Sequence, residues 1–127
     1  HALTLRPNWA NNHADVVRAK LWLGEFDNEF NQAFKLADKY GAMTPAVHQV
    51  LAEAGLLSWP TLDKTQRQMT TNHVALGLLH RNSRNAVIDF LTRHQRLAYG
   101  CALARNKVKG DPMFHGWQLP KVCQRKK

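Results

Sequence analysis

Phe26, Phe30, Ala33, Phe34 and Ala37 recur at i, i+4, i+7, i+8 and i+11. That is the spacing of one apolar face of an α-helix, and it restricts this stretch to a helix that buries one side. Gly24 stands before the stripe and Gly41 after it. Single glycines at such places end helices. The same punctuation recurs along the chain. Asn8 is a possible N-cap for a first helix to about Leu23, with Val16, Ala19 and Leu23 as its apolar face. Thr44 and Pro45 start a third helix, whose stripe is Val47, Val50, Leu51, Ala54 and Leu57. Trp59-Pro60 breaks it, because proline disfavours a helical residue before it.

A fourth helix spans about Leu62 to Leu79, with Met69, His73 and Leu76 on one side. Arg81-Asn82-Ser83 reads as a polar break. Ala86, Val87, Phe90 and Leu91 mark a fifth helix, Thr92 to Gln95 a turn, and Leu97, Ala98 and Cys101 a sixth that fails after Arg105. Gly110, Asp111-Pro112, Gly116 and Pro120 then punctuate an irregular tail. No stretch alternates as a strand does. The expectation is an all-α domain of about six helices in antiparallel hairpins over residues 1–109, followed by a basic tail over 110–127.

The chain has 127 residues, enough for one domain with a real core, and 44% of them are apolar. No apolar run approaches the roughly 18 residues of a membrane span. The chain opens without Met and in the middle of an apolar phrase, so it reads as a piece of a longer protein. Lys and Arg number 18 against 9 Asp and Glu, a net charge of +9. That excess favours acidic partners such as nucleic acid, anionic lipid or anionic polysaccharide. It gathers after Leu62, from Arg67, Arg81, Arg84 and Arg93 to the closing Arg125-Lys126-Lys127. No aromatics interleave with it as in nucleic-acid readers. Cys101 and Cys123 lie outside any C-x-x-C pair, which argues against structural zinc and leaves a disulfide or two unrelated thiols.

The distance from Pro7 to Gly41 is 34 residues. That is the length of the tetratricopeptide unit, a two-helix repeat with small residues at the helix crossing and a glycine in the turn. Ala2-Leu3-Thr4-Leu5-Arg6-Pro7 resembles the closing phrase of one unit, and Leu23-Gly24-Glu25-Phe26-Asp27 resembles the turn of the next. The resemblance implies a short right-handed solenoid of stacked hairpins. Leu5-Arg6-Pro7-Asn8-Trp9, Leu23 to Asp27, Pro45-Ala46-Val47 and Gly55-Leu56-Leu57-Ser58-Trp59 together resemble bacterial VpsP-type polysaccharide-biosynthesis proteins and modules associated with O-antigen-ligase-like proteins. This second resemblance covers roughly residues 2–105. It implies a scaffold outside the cytoplasmic membrane, in the periplasm, that assists export or assembly of surface glycan. It brings no catalytic residue and no cofactor. Such a location would favour a Cys101–Cys123 bridge.

The residues that could carry chemistry read as structural. His73 and His80 are seven apart without the Glu of an H-E-x-x-H metal site. His94 with Asp89 and His13 with Asp15 are pairs without a motif. His115 lies in a tail phrase that reads as a packing strap. Glu25, Asp27 and Glu29 suit a helix N-terminus. Ser58 and Ser83 lack a nucleophile elbow. No glycine-rich phosphate loop exists. Trp9, Trp22, Trp59 and Trp117 are candidate anchors, and Trp22 stands off its helix's apolar stripe, where a repeat protein presents its groove. The reading is a non-catalytic module that binds a protein, a peptide or an acidic glycan, with Asn12, Lys20 and Trp22 as contacts and Arg67 and Arg84 as a basic rim. Nucleic-acid binding is the alternative, and a small helical enzyme a more distant one.

Overall fold

A computed structural model describes residues 9–124, with side chains from Asn12 onward. The closing phrase over residues 2–7, the expected N-cap Asn8 and the terminal Arg125-Lys126-Lys127 lie outside the described residues, as does the Trp9 side chain. The described chain is all-α: α1 (Trp9–Leu23), α2 (Asn28–Tyr40), α3 (Pro45–Leu57), α4 (Lys64–Leu79), α5 (Arg81–Arg93) and α6 (Leu97–Gly110). Short 3₁₀ turns follow α3 at Trp59–Thr61 and shape the tail at Pro112–Phe114 and Lys121–Cys123. No helix among the described residues is long and apolar enough to cross a membrane.

The helix ends follow from local chemistry. Gly24 takes φ +69°, a left-handed conformation that costs a glycine nothing, and the chain turns there out of α1. Asp27 caps α2 by accepting from the Phe30 N–H. That bond first, and Lys20 second, hold the Asp27 carboxyl below its usual range. Asp63 and Gln66 form a reciprocal capping box at the start of α4. The same Gln66 amide donates to Asn31 Oδ1 on α2.

The structure revises three of the sequence expectations. The buried face of α1 is Ala14 and Val17, with Leu21 beside them, whereas Ala19 and Leu23 are exposed. Arg81-Asn82-Ser83 is the first turn of α5, not a break. Ser83 Oγ donates to the Gly77 carbonyl, so the polar side chain is absorbed in the corner and His80 alone joins the two helices. The sixth helix runs on past Arg105 to Gly110, its last turn carrying Lys107 and Lys109 where the helix dipole favours cations.

Helices α1, α3 and α5 lie side by side in one layer, and α4 packs against α3, α5 and α6 behind them. α6 leans more on α4 than on its sequence neighbour α5. Two apolar clusters result. One joins α1, α2 and α3 around Phe30, Phe34 and Leu51; the other joins α4, α5, α6 and the tail around Leu78, Leu91 and Phe114. The α3–α4 crossing is tight at Gly55, where a Cβ would collide with the Thr70 side chain. The tail folds back over the second cluster. Arg84 donates to the Gln118 carbonyl, Arg105 to the Cys123 carbonyl, and Cys101 and Cys123 are joined by a disulfide.

Two stability measurements check this packing. Gly55→Ala overfills the α3–α4 crossing and is expected to lower unfolding free energy in urea by about 1–3 kcal/mol. Replacing both cysteines by serine opens the loop between residues 22 apart and is expected to cost about 3 kcal/mol by chain entropy.

Candidate functional site

Two features stand out for function: an open groove on the α1/α3/α5 layer and a chain of buried imidazoles behind it. The groove encloses about 720 Å³. Arg18, Leu21 and Trp22 line it from α1, Gln49, Val50, Glu53, Ala54 and Leu57 from α3, and Phe90, Arg93 and His94 from the end of α5. Successive positions on one face of each helix supply these residues because the opposite faces are committed to the core. Trp22 is 82% exposed, a large apolar surface left uncovered at the rim. Arg18 has no ion-pair partner among the described residues. Arg93 Nε lies 3.2 Å from Asp89 Oδ2, with both side chains exposed, and an exposed pair of that kind is readily exchanged. Glu53 is the acidic residue in the lining, and the Gln49 amide donates to it at 3.4 Å.

Of the five contacts expected from sequence, the structure brings only Trp22 into this groove. Asn12 is half-buried on α1 and does not line it. Lys20 points elsewhere: its ammonium lies 3.0 Å from Glu25, 2.9 Å from Asp27 and 3.0 Å from Glu29. Bonds to Asp27, Glu25 and Glu29 raise its pKa, and the four residues tie α1 to the start of α2. Arg67 donates to the Trp59 carbonyl and stacks 5.2 Å over the Trp59 ring. Arg84 donates to the Leu78, Leu79 and Gln118 carbonyls. Both guanidiniums act as internal ties. Ser58 and Ser83 donate their hydroxyls to helix carbonyls, so neither is placed as a nucleophile.

The second feature was hidden from the sequence. His48 on α3 and His73 on α4 are fully buried, with their Nδ1 atoms 2.8 Å apart. His48 Nε2 lies 2.8 Å from Nδ1 of His80 at the end of α4. His73 Nε2 lies 2.7 Å from Oδ1 of Asp38 on α2. The His80 ring packs 5.2 Å from Trp117 of the tail. Four residues from three helices thus form one continuous hydrogen-bonded row. Burial first, then the neighbouring His73 and His80 rings, push His48 down to about 3. Burial lowers His80 as well. The nitrogens face one another in pairs, and no group of three or more metal-ligating side chains is formed among the described residues.

Comparison with protein families, with curated proteins and with solved structures finds no match for the chain in any of the three.

The imidazole row makes stability depend on pH. Unfolded His48 gains a proton near pH 6.5, whereas folded His48 gains one only near 3. The unfolded state therefore binds more protons as pH falls between these values. Stability is expected to be complete above about pH 6.5 and to decline towards pH 3, by on the order of 4 kcal/mol. Urea midpoints at pH 7.5, 5.5 and 4 measure it, and a level midpoint would contradict a neutral buried His48.

Proposed function

We propose that the chain is a non-catalytic interaction module that holds an acidic segment of a partner protein, anchored by apolar side chains, in the α1/α3/α5 groove. The observation that carries this reading is Trp22, 82% exposed beside a groove lined by Arg18 and Arg93, with Glu53 as its acidic residue. Exposed tryptophan and arginine are the side chains that dominate binding energy at protein interfaces. Leu21, Val50 and Leu57 supply apolar floor between them. The basic lining favours an acidic occupant, and the apolar floor favours one with aromatic or aliphatic anchors.

The wider setting we propose is a bacterial cell-envelope protein of polysaccharide biosynthesis or export, on the extracytoplasmic side of the membrane. The phrases around Arg6-Pro7, Gly24 and Trp59 support it through their resemblance to VpsP-type proteins. The Cys101–Cys123 disulfide supports it because such bonds persist in oxidising compartments. Nucleic acid is the weaker reading because Arg67 and Arg84 spend their donors on backbone carbonyls.

Selection of displayed peptides on the full chain tests the groove. Acidic peptides with aromatic or aliphatic anchors are expected to be enriched. Trp22→Ala should weaken them about tenfold, or about 1.4 kcal/mol. Arg18→Glu should weaken them further, and Lys121→Ala, outside the groove, should leave affinity unchanged. Enriched peptides that ignore both groove substitutions contradict the reading. Tight binding of single-stranded DNA that falls steeply with salt would favour the nucleic-acid alternative.

A further inference from the structure

We propose that Asp38, His73, His48 and His80 form a proton relay that takes up one proton at the half-buried ring of His80 and stores it as an ion pair between His73 and Asp38. None of these four residues lines the groove.

The geometry fixes where the hydrogens sit. A neutral imidazole has one N–H and one bare nitrogen, and an ionised carboxylate only accepts. Asp38 therefore requires the hydrogen of His73 on Nε2, which leaves His73 Nδ1 bare. His48 must then carry its hydrogen on Nδ1, which leaves its Nε2 bare. His80 must carry its own on Nδ1. One arrangement satisfies all three contacts, and it leaves His80 Nε2 as the unprotonated nitrogen at the open end.

A proton from water that binds His80 Nε2 has a complete path. The Nδ1 hydrogen of His80 passes to Nε2 of His48, and the Nδ1 hydrogen of His48 passes to Nδ1 of His73. One proton has entered from water, only N–H bonds have formed and broken within the row, the two nitrogen–nitrogen contacts persist with their direction reversed, and His73 still donates to Asp38. His73 now carries both hydrogens and the positive charge, 2.7 Å from the Asp38 carboxylate. His48 in the middle resists holding that charge, being buried between two rings. A second proton finds no place between the rings. Both nitrogen–nitrogen gaps are filled by one hydrogen each, so another would set two hydrogens against each other.

The surroundings leave Asp38 as the counter-charge. Each packed element brings charged or titratable groups to the neighbourhood of the row. α1 brings His13, stacked on Tyr40 two residues beyond Asp38. α2 brings Asp38 itself, whose side chain is 24% exposed, and Lys35 one turn before it, paired with Asp63. α5 brings Arg84, bound to the carbonyls of Leu78 and Leu79 just before His80. α6 brings Lys107, 5.6 Å from the Phe114 ring that packs on Trp117. Arg84 stands at the His80 end of the row and the Asp38 carboxylate at the other, which favours an added charge at His73. The stored pair spans the α2–α4 seam, otherwise bridged by Gln66 with Asn31 and by Lys35 with Asp63.

Long-range ¹H–¹⁵N spectra of the full chain between pH 8 and 4 test the relay. His48 and His80 are expected to switch from the Nδ1–H to the Nε2–H form, and His73 to gain its second hydrogen, at one shared midpoint. Asp38→Asn should lower the shared midpoint by about one to three pH units. His80→Gln, at the more accessible end, should abolish the tautomer change at His48 while near-ultraviolet circular dichroism is kept. Three distinct midpoints, tautomers that stay fixed, or no titration of the three rings in this range would each overturn the proposal. The unsubstituted protein decides the matter if either variant fails to fold.

Discussion

The enclosure of the second half of α4 is the constraint on which the remaining structure depends. Every residue from His73 to Leu79 is buried, with α3, α5 and α6 packed around the helix. A helix covered on all sides tolerates only apolar, small or internally satisfied side chains. Val74, Leu76 and Leu78 meet that demand as hydrocarbon. Gly77 meets it by having no side chain, since a Cβ there would press on Val87. Thr70, one turn earlier, returns its hydroxyl to the Gln66 carbonyl. His73 meets it through its neighbours, one nitrogen to Asp38 and the other to His48. A buried polar group without partners would cost about 1–3 kcal/mol, so the row of rings is a condition of the core as well as a feature within it.

Much of the helical order was legible because its signals are local. Gly24, Gly41 and Thr44-Pro45 mark helix ends through backbone preferences that act over a few residues, and the chain obeys them. Of the Phe26-to-Ala37 stripe, Phe30, Ala33, Phe34 and Ala37 enter the core as their spacing required, whereas Phe26 precedes α2 and is exposed. What was not legible lies across longer distances. His48 meets His73 at a separation of 25 residues and His80 at 32, and Asp38 meets His73 at 35. No periodicity connects such positions. Arg67 and Arg84 were misleading for a related reason. An arginine that ties carbonyls looks, in a sequence, the same as one that waits for a ligand. Lys20 was drawn away from the groove by three carboxylates whose convergence depends on how the chain turns at Gly24. The α1 face shows a further limit: Val16 and Ala19 fit a helical stripe as well as Ala14 and Val17 do, and only the position of α2 and α3 chooses between them.

The groove owes its character to the same division of faces. Helices α1, α3 and α5 spend one side on the core and present the other as a row, so groove residues alternate with core residues along each helix. On α3, Val50 and Ala54 serve both, being counted in the core and at the groove floor. The third hairpin departs from a regular array because α6 follows α4 rather than α5, and the tail occupies the space that a further hairpin would cover. The disulfide holds the end of that tail against α6, which keeps Phe114 and Trp117 over the second cluster.

Gln66 carries a consequence for the chemical ageing of the molecule. Its oxygen is committed to the Asp63 N–H and its nitrogen to Asn31, so the amide has one permitted orientation. Deamidation would keep the helix cap, because a carboxylate accepts from Asp63 equally well. It would also turn a donor into an acceptor opposite the Asn31 oxygen, and bring a negative charge into a site that is almost wholly shielded from water. A change of one atom's identity would thus leave α4 begun correctly while forcing the Asn31 amide to turn over and placing a charge in the seam with α2.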